Sequence, residues 1–448
     1  MQSKLLQLNI SNRQILAIAL PISLALVIPF LNFTINNFFL GRLGESELGT
    51  AGITGVYFLV VAVIGNGLNN SLQAIISRRA GENRPQEIGR TFGQGIKVAL
   101  LFAAIGICIT YLLAPILFAG ALSFQGVEQR AVGFLKIRVW GLPFLYLFQM
   151  GNALLVGTTN SRLLVIGTLF EAGANILLDY LLIFGNWGFP QLGFNGAAWA
   201  SVCAEAIGML VVLLVILYRK MHLQFELFRH FSFHSHTTRL ILKTSAPLIG
   251  QYGISLMSWL FFYILIEHKG ERSLAISNIM RNVFTLTGVF TWAFASTTNT
   301  MVSNIIGQNR KEEVVVLIQK IMRLSLFFAV AMVVLLNIFA TSFLGIFGLS
   351  QEFTQAGVPV LRMVTIGVLL MSVSVVWLNG VTGTGNTQVN LLIELAAIVF
   401  YCMYVYLVLE VFQLNLLWAW ASELLYWIVI LSMAYFYIRS GKWKEKKL

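Results

Sequence analysis

The amino-acid sequence predicts an all-α integral membrane protein: twelve transmembrane helices arranged as two pseudo-symmetric six-helix bundles. Apolar residues make up 58% of the chain and charged residues 11%, a balance that suits a lipid-embedded bundle and not a soluble globule. Apolar runs long enough to cross a bilayer recur from end to end. The third observation is an internal duplication. Gly44-Glu45 with Leu48 returns as Gly270-Glu271 with Leu274, a displacement of 270 − 44 = 226 positions. In the same register Ala19-Leu20-Pro21 returns as Ser245-Ala246-Pro247, and Gly81-Glu82-Asn83-Arg84 as Gly307-Gln308-Asn309-Arg310. Gly157-Thr158-Thr159-Asn160-Ser161 returns as Gly383-Thr384-Gly385-Asn386-Thr387. One constant offset through separated landmarks means that a single plan is used twice.

The first span, 14–40, carries Pro21 and Pro29; residues 1–13 before it are polar and the apolar run is too long for a cleavable signal peptide. The second, 50–76, bears a polar stripe of Asn66, Asn69, Asn70 and Gln73 at spacings of three and four. Spans three (92–118) and four (130–155) lead to the Gly157 landmark. Span five, 163–184, contains Glu171, Asn175 and Asp179; span six, 195–217, follows Gly193 with the small run Gly196-Ala197-Ala198, suited to close helix packing, then Ser201 and Glu205. Span seven, 240–267, offers Gln251, Met257, Trp259, Phe261, Phe262 and Tyr263. Span eight, 276–304, has Met280, Arg281, Phe284, Phe290 and Trp292, and keeps the polar stripe as Ser296 and Asn299. Spans 316–345, 357–380, 388–410 and 415–438 complete the second bundle, with Glu394 in the eleventh. The division is thus a first lobe at 1–217, a linker at 218–239 and a second lobe at 240–448.

The net charge of +12 does not point to nucleic acid, because its carriers cluster in alternate loops. Arg78, Arg79, Arg84 and Arg90 follow span two, Arg219, Lys220, Arg229, Arg239 and Lys243 follow span six, and Arg310, Lys311, Lys320 and Arg323 follow span eight. Lys442, Lys444, Lys446 and Lys447 close the chain. The intervening loops are poor in cations, so both termini are expected in the cytoplasm. Cys108, Cys203 and Cys402 lie inside spans and read as packing residues, not a disulfide framework. His222, His230, His234 and His236 lie in the linker; without a Cys or carboxylate beside them they read as linker side chains rather than a metal site. Two halves on one plan in so apolar a chain point to a transporter.

Asp179 is the only aspartate in the protein and sits within a span, so it is expected to face a cavity or a partner and not lipid. Asn175 and Glu171 precede it by one and two helical turns on the same stripe. Such a carboxylate is either a coupling group or a hydrogen-bond partner for a neighbouring helix. Glu205, a turn from Ser201, is either a relay partner or a group facing a wet cleft. The stripe of Asn66, Asn70 and Gln73 is either helix glue or cavity lining.

Ala-Leu-Pro in the first span, Gly41-Arg42-Leu43-Gly44 after it, Asn175-Ile-Leu-Leu-Asp179-Tyr180 and Leu192-Gly193-Phe194-Asn195-Gly196-Ala197-Ala198 together resemble the multidrug and toxic compound extrusion (MATE) transporters over almost the whole chain. The resemblance implies two six-helix lobes that rock between inward-open and outward-open states and export organic cations in exchange for H+ or Na+, with no other cofactor. It implies a cation site in the first lobe. Three of its positions map onto Asn175, Asp179 and Ser201, but Asn36, followed by Asn37, stands where relatives carry Asp. A single formal charge remains, to which Glu171 or Glu205 is a candidate addition. In branches with a second-lobe acid on the seventh helix, the polar residue here is Gln251. Glu394 and Arg281 are the intramembrane charges read in the second half, a candidate pair.

Substrate walls are sought in Trp259 and the other aromatics of spans seven and eight, with Met257 and Met280 as adaptable surface. Pro21 and Pro29 make span one the hinge candidate, or a static kink. A monomer in a bacterial inner membrane is expected, with the bilayer and small organic cations as its partners. A lipid-linked oligosaccharide flippase is the alternative; it would require several cavity-facing cations, whereas Arg281 is the only basic residue read as well inside a span. A membrane-embedded enzyme would show a constellation such as His-Glu-x-x-His, which is absent, and a two-lobe repeat suits alternating access better than a channel.

Overall fold

The computed structural model describes residues 6–121, 126–229, 232–345 and 351–445. His230, Lys446 and Lys447 lie outside them. Twelve long helices are present: α1 (Asn12–Gly41), α2 (Glu45–Gly81), α3 (Pro85–Ala121), α4 (Val127–Gly157), α5 (Ser161–Phe184), α6 (Phe194–Tyr218), α7 (Ser235–Glu267), α8 (Glu271–Gly307), α9 (Lys311–Ile338), α10 (Gln351–Thr384), α11 (Thr387–Val411) and α12 (Leu416–Arg439). Among the described residues, eleven are long and apolar enough to cross a membrane; the remaining one, α8, is 37 residues long but too rich in Ser, Thr and Asn to qualify. Its polar side chains are turned inward: Thr297, Thr298, Asn299, Thr300, Ser303 and Asn304 are all fully buried. Large apolar side chains such as Phe33, Leu112, Ile116, Phe327 and Phe436 stand exposed, as a lipid-facing surface requires.

The 226-residue repeat is carried into the backbone. α2 and α8 have equal lengths and equivalent ends. Left-handed residues recur at Asn83 and Asn309, at Thr159 and Gly385, and at Trp187 and Gln413. The repeated glycines Gly157 and Gly383 have a packing reason. A Cβ on Gly157 would stand 2.8 Å from Ile76 and 3.2 Å from the Gln73 carbonyl, and one on Gly383 2.8 Å from Val302 and 2.9 Å from the Asn299 carbonyl, the same partners one repeat later. These glycines let α4 close on α2 and α10 close on α8.

The chain forms two compact units, Leu24–Ile249 and Met1–Ser23 with Gly250–Leu448. In the first, α5 packs along α6 and α2 along α4. In the second, α8 packs along α10, and α11 and α12 pack together. The two divisions in the chain fall two residues after Pro21 and two after Pro247, again one repeat apart. The helical assignment of α1 runs unbroken through Pro21 and Pro29. The segment before α1 is fixed within its own unit: the Asn304 side chain accepts from Leu8 N–H at 3.0 Å and donates to the Leu6 carbonyl at 2.9 Å, while Gln308 donates to the Leu8 carbonyl at 2.9 Å.

Candidate functional site

Asp179 is fully buried, and neither of its carboxylate oxygens has a hydrogen-bond partner. One turn earlier on α5, Asn175 Oδ1 accepts from Asn32 Nδ2 at 2.9 Å and Asn175 Nδ2 reaches Ser201 Oγ at 3.5 Å. α1 and α5 are both odd-numbered spans and run in one direction, so one turn beyond the Asn32–Asn175 contact brings Asn36 to the level of Asp179. Asn32 Oδ1 and Asn36 Oδ1 are also buried without a partner. The two helices thus carry unpartnered acceptor oxygens on Asn32, Asn36 and Asp179 and one formal negative charge. Oxygen acceptors of this kind suit a hard monovalent cation, and the carboxylate alone can take a proton.

One turn to the other side lies a second charge cluster. Arg138 of α4 forks onto Glu205, with Nη1 to Oε2 at 2.8 Å and Nη2 to Oε1 at 2.5 Å. Both side chains are largely buried, and the guanidinium carbon lies 3.7 Å from the centre of the Phe58 ring. A short 3-10 turn, Val139–Gly141, interrupts α4 here. Gly141 has no side chain because a Cβ would collide with the Glu205 carboxylate and stand 2.6 Å from Arg138. Arg138 corrects the reading that Arg281 is the only basic residue well inside a span. With Glu205 neutralised by Arg138, Glu171 is the remaining carboxylate of the cluster, half-buried and packed against Gly208.

The other candidates are distributed. Asn66 is exposed and accepts from Gln149 Nε2 at 3.0 Å, Asn70 is half-buried, and Gln73 is buried along α2. Trp259 is packed among Phe262, Tyr263, Phe284 and Trp420, an aromatic core within its unit. Met280 is fully buried, whereas Met257 is exposed. Gln251 is buried beside Glu394 of α11, donating to it at 3.3 Å. Among the described residues no ion pair joins Arg281 to Glu394. Instead the Arg281 guanidinium lies 5.4 Å from the Tyr263 ring centre, and Glu394 is held by neutral donors. No group of three His, Cys, Asp or Glu side chains among the described residues could hold a metal ion.

The family model MatE matches residues 21–181 and again 247–407, the same 226-residue step, and covers well over half the chain. The chain is a MATE-family membrane transporter. A protein of Thermotoga maritima described as probable multidrug resistance protein NorM is 23% identical over 97% of this chain and 93% of its own length. The uncharacterized transporter YisQ of Bacillus subtilis is 23% identical over 78% of this chain and 76% of its own. The fold is that of solved MATE structures: a MATE in complex with MaL6 superposes with a TM-score of 0.90 at 16% identity, covering 98% and 97% of the two chains. A MOP superfamily transporter from Pyrococcus furiosus, described as having a binding pocket of reversed polarity, gives 0.90 at 16% identity over 99% of both. The MATE fold thus agrees with the twelve-helix reading, and transport rather than enzymatic catalysis is its business.

Proposed function

We propose that this transporter is a cation-coupled antiporter that exchanges H+ or Na+ for organic cations by alternating access of its two lobes. The observation that carries the reading is Asp179, a fully buried carboxylate without a hydrogen-bond partner, one turn from Asn175 and level with Asn36. A carboxylate inside a membrane is costly unless something compensates its charge. A proton or a sodium ion does so, and its uptake and release give the differential binding that shifts a two-state transporter. Asn32 and Ser201 hold the Asn175 amide one turn away, and Asn36 supplies a neutral oxygen in place of a second carboxylate. The multidrug-resistance name of the Thermotoga relative supports drug-like small molecules as cargo. The transporter works as a monomer in a bacterial inner membrane with both termini in the cytoplasm.

A flippase for anionic lipid-linked sugars requires cations that are not already neutralised. Arg138 is committed to Glu205 through both nitrogens, which removes it as such a cation and supports the antiporter over the flippase. The deciding experiment is efflux of a fluorescent organic cation from proteoliposomes under an imposed proton or sodium gradient, with Asp179→Asn beside the parent protein. Efflux driven by one gradient and abolished by the substitution supports the proposal and names the ion. Undiminished efflux in folded Asp179→Asn rejects Asp179 as the coupling group, and absence of cation efflux under either gradient favours the flippase.

A further inference from the structure

The foot of α3 carries a cation that its own half of the chain does not neutralise. Arg90 is half-buried, its Nε is covered by protein without an acceptor, and it makes no hydrogen bond or ion pair among the described residues. The neighbouring carboxylates are engaged elsewhere. Glu87 lies 3.0 Å from Arg79 Nε and 3.2 Å from Arg84 Nη1, and Glu226 lies 3.5 Å from Arg229 Nη1. Taking a guanidinium partly out of water with no counter-charge is costly unless an anion completes it. The helix itself does not demand a cation at this place, because one repeat later stands Val316, which is exposed.

The surroundings of Arg90 suit a ligand that is charged at one end and apolar along its length. Arg90, Gln94 and Lys97 follow one another at spacings of four and three, so they share one face of α3. The same face continues through Leu101, Ile105, Cys108 and Leu112, all exposed, which makes it a lipid-facing column. The linker crosses the foot of this column. A Cβ on Gly89 would collide with the Phe225 carbonyl, and farther along the helix Gln94 Nε2 and Lys97 Nζ both donate to the Ser232 carbonyl, at 2.8 and 3.2 Å. Arg90 stands between these two levels.

The linker buries Phe225 and Leu227 but leaves Leu223, Phe228 and Phe233 exposed, interleaved with Lys220, Arg229 and Arg239. Exposed apolar side chains alternating with cations are the pattern of a segment that lies in the headgroup region of a bilayer. Loops this rich in Lys and Arg belong to the cytoplasmic side, where anionic lipids attract cations beside the membrane. We propose that the foot of α3 and the linker form a binding site for one anionic phospholipid of the cytoplasmic leaflet. The Arg90 fork takes the phosphate through parallel N–H···O bonds, and an acyl chain lies along Leu101, Ile105 and Leu112. A soluble anion would use the guanidinium but not the apolar column. A zwitterionic lipid would bring its own ammonium against Lys97 and the arginines of the linker.

The test is native mass spectrometry of the purified full-length protein titrated with phosphatidylglycerol, phosphatidylcholine or inorganic phosphate. The expected result is one phosphatidylglycerol retained in preference to phosphatidylcholine. Its dissociation constant should rise about fivefold in Arg90→Gln, the effect of losing one cation at an anionic surface. It should be unchanged in Arg323→Gln, which removes the exposed arginine one repeat beyond Lys97. Equal retention of the two lipids, an Arg90→Gln affinity equal to the parent's, or an equal loss in Arg323→Gln overturns the proposal. Inorganic phosphate that displaces the lipid from the parent protein assigns Arg90 to a soluble anion and overturns the lipid as its occupant. Should Arg90→Gln fail to fold, Arg90→Lys keeps the charge but not the fork and decides alone: weakened retention supports the site and unchanged retention overturns it. The measurement requires no transport, so it is independent of the antiport reading.

Discussion

Replacement of Arg138 by Ala tests how the charges of the first half are balanced. The guanidinium donates to both oxygens of a Glu205 side chain that is 6% exposed, so its removal leaves a buried carboxylate with neither counter-charge nor those two hydrogen bonds. Breaking a buried pair from one side costs about 3–5 kcal/mol. Glu171 is close enough to feel the charges of both partners, so the two carboxylates repel once the guanidinium is gone. For a unit of this size a loss of that order lowers the unfolding temperature by roughly 6–20 °C. The double replacement Arg138→Met with Glu205→Leu removes both charges while keeping similar volume, and such exchanges are about neutral or stabilising by roughly 1–4 kcal/mol. The assay is thermal unfolding of the purified protein in detergent, for parent, single and double variants. The single variant's deficit is expected to shrink as pH falls, because protonated Glu205 needs no counter-charge. An unfolding temperature of Arg138→Ala equal to the parent's, or a double variant as damaged as the single one, would refute the reasoning.

Asn304→Ala removes two of the three side-chain bonds that hold Leu6 and Leu8, a loss of about 1–3 kcal/mol, and amide exchange at residues 6–10 should accelerate while the helices are unaffected. Gly157→Ala and Gly383→Ala place a methyl against equivalent neighbours at 2.8 Å, so each should destabilise by about 1–3 kcal/mol and by similar amounts, measured by the same thermal unfolding. Asn36→Asp adds a second carboxylate at the level of Asp179; it should strengthen cation binding to the folded protein, and calorimetry showing no gain would remove Asn36 from the site.

Much of the fold was legible because the repeat acts on the backbone. Gly44, Asn83 and Gly157 stand where a turn, a left-handed residue or a close helix approach is required, and the same needs recur at Gly270, Asn309 and Gly383. The polar stripe of α8 was legible too, although the same polarity hides that helix from a test of apolarity alone. Of the first-half site, Asn175 and Asp179 were visible as a single-helix stripe, and so was Ser201 on the next helix. Asn32 was not, since an amide one turn before Asn36 gives no sign by itself that Asn175 faces it. Arg138 was hidden for a related reason: an ion pair between α4 and α6 bridges 67 positions, and no local spacing reports it. The donors on Glu394 come from α7 and α12, again beyond the reach of helical periodicity.

The duplication also shows where the halves have parted. One repeat beyond Glu171, Asn175 and Asp179 stand Ala397, Tyr401 and Val405, and one repeat before Glu394 stands Thr168. The turns and the helix contacts were kept, whereas the charges were not. Backbone landmarks are constrained by packing that both halves share, so the conformation recurs even where the residue differs, as at Trp187 and Gln413. A buried carboxylate is constrained only by the groups around it, and each half has built a different set. Asp179 stands without a donor near neutral amide oxygens, Glu205 is tied to an arginine, and Glu394 is enclosed by hydroxyls and an amide N–H. A symmetric scaffold thus carries asymmetric chemistry, fixed by the side chains that each half places around its carboxylates.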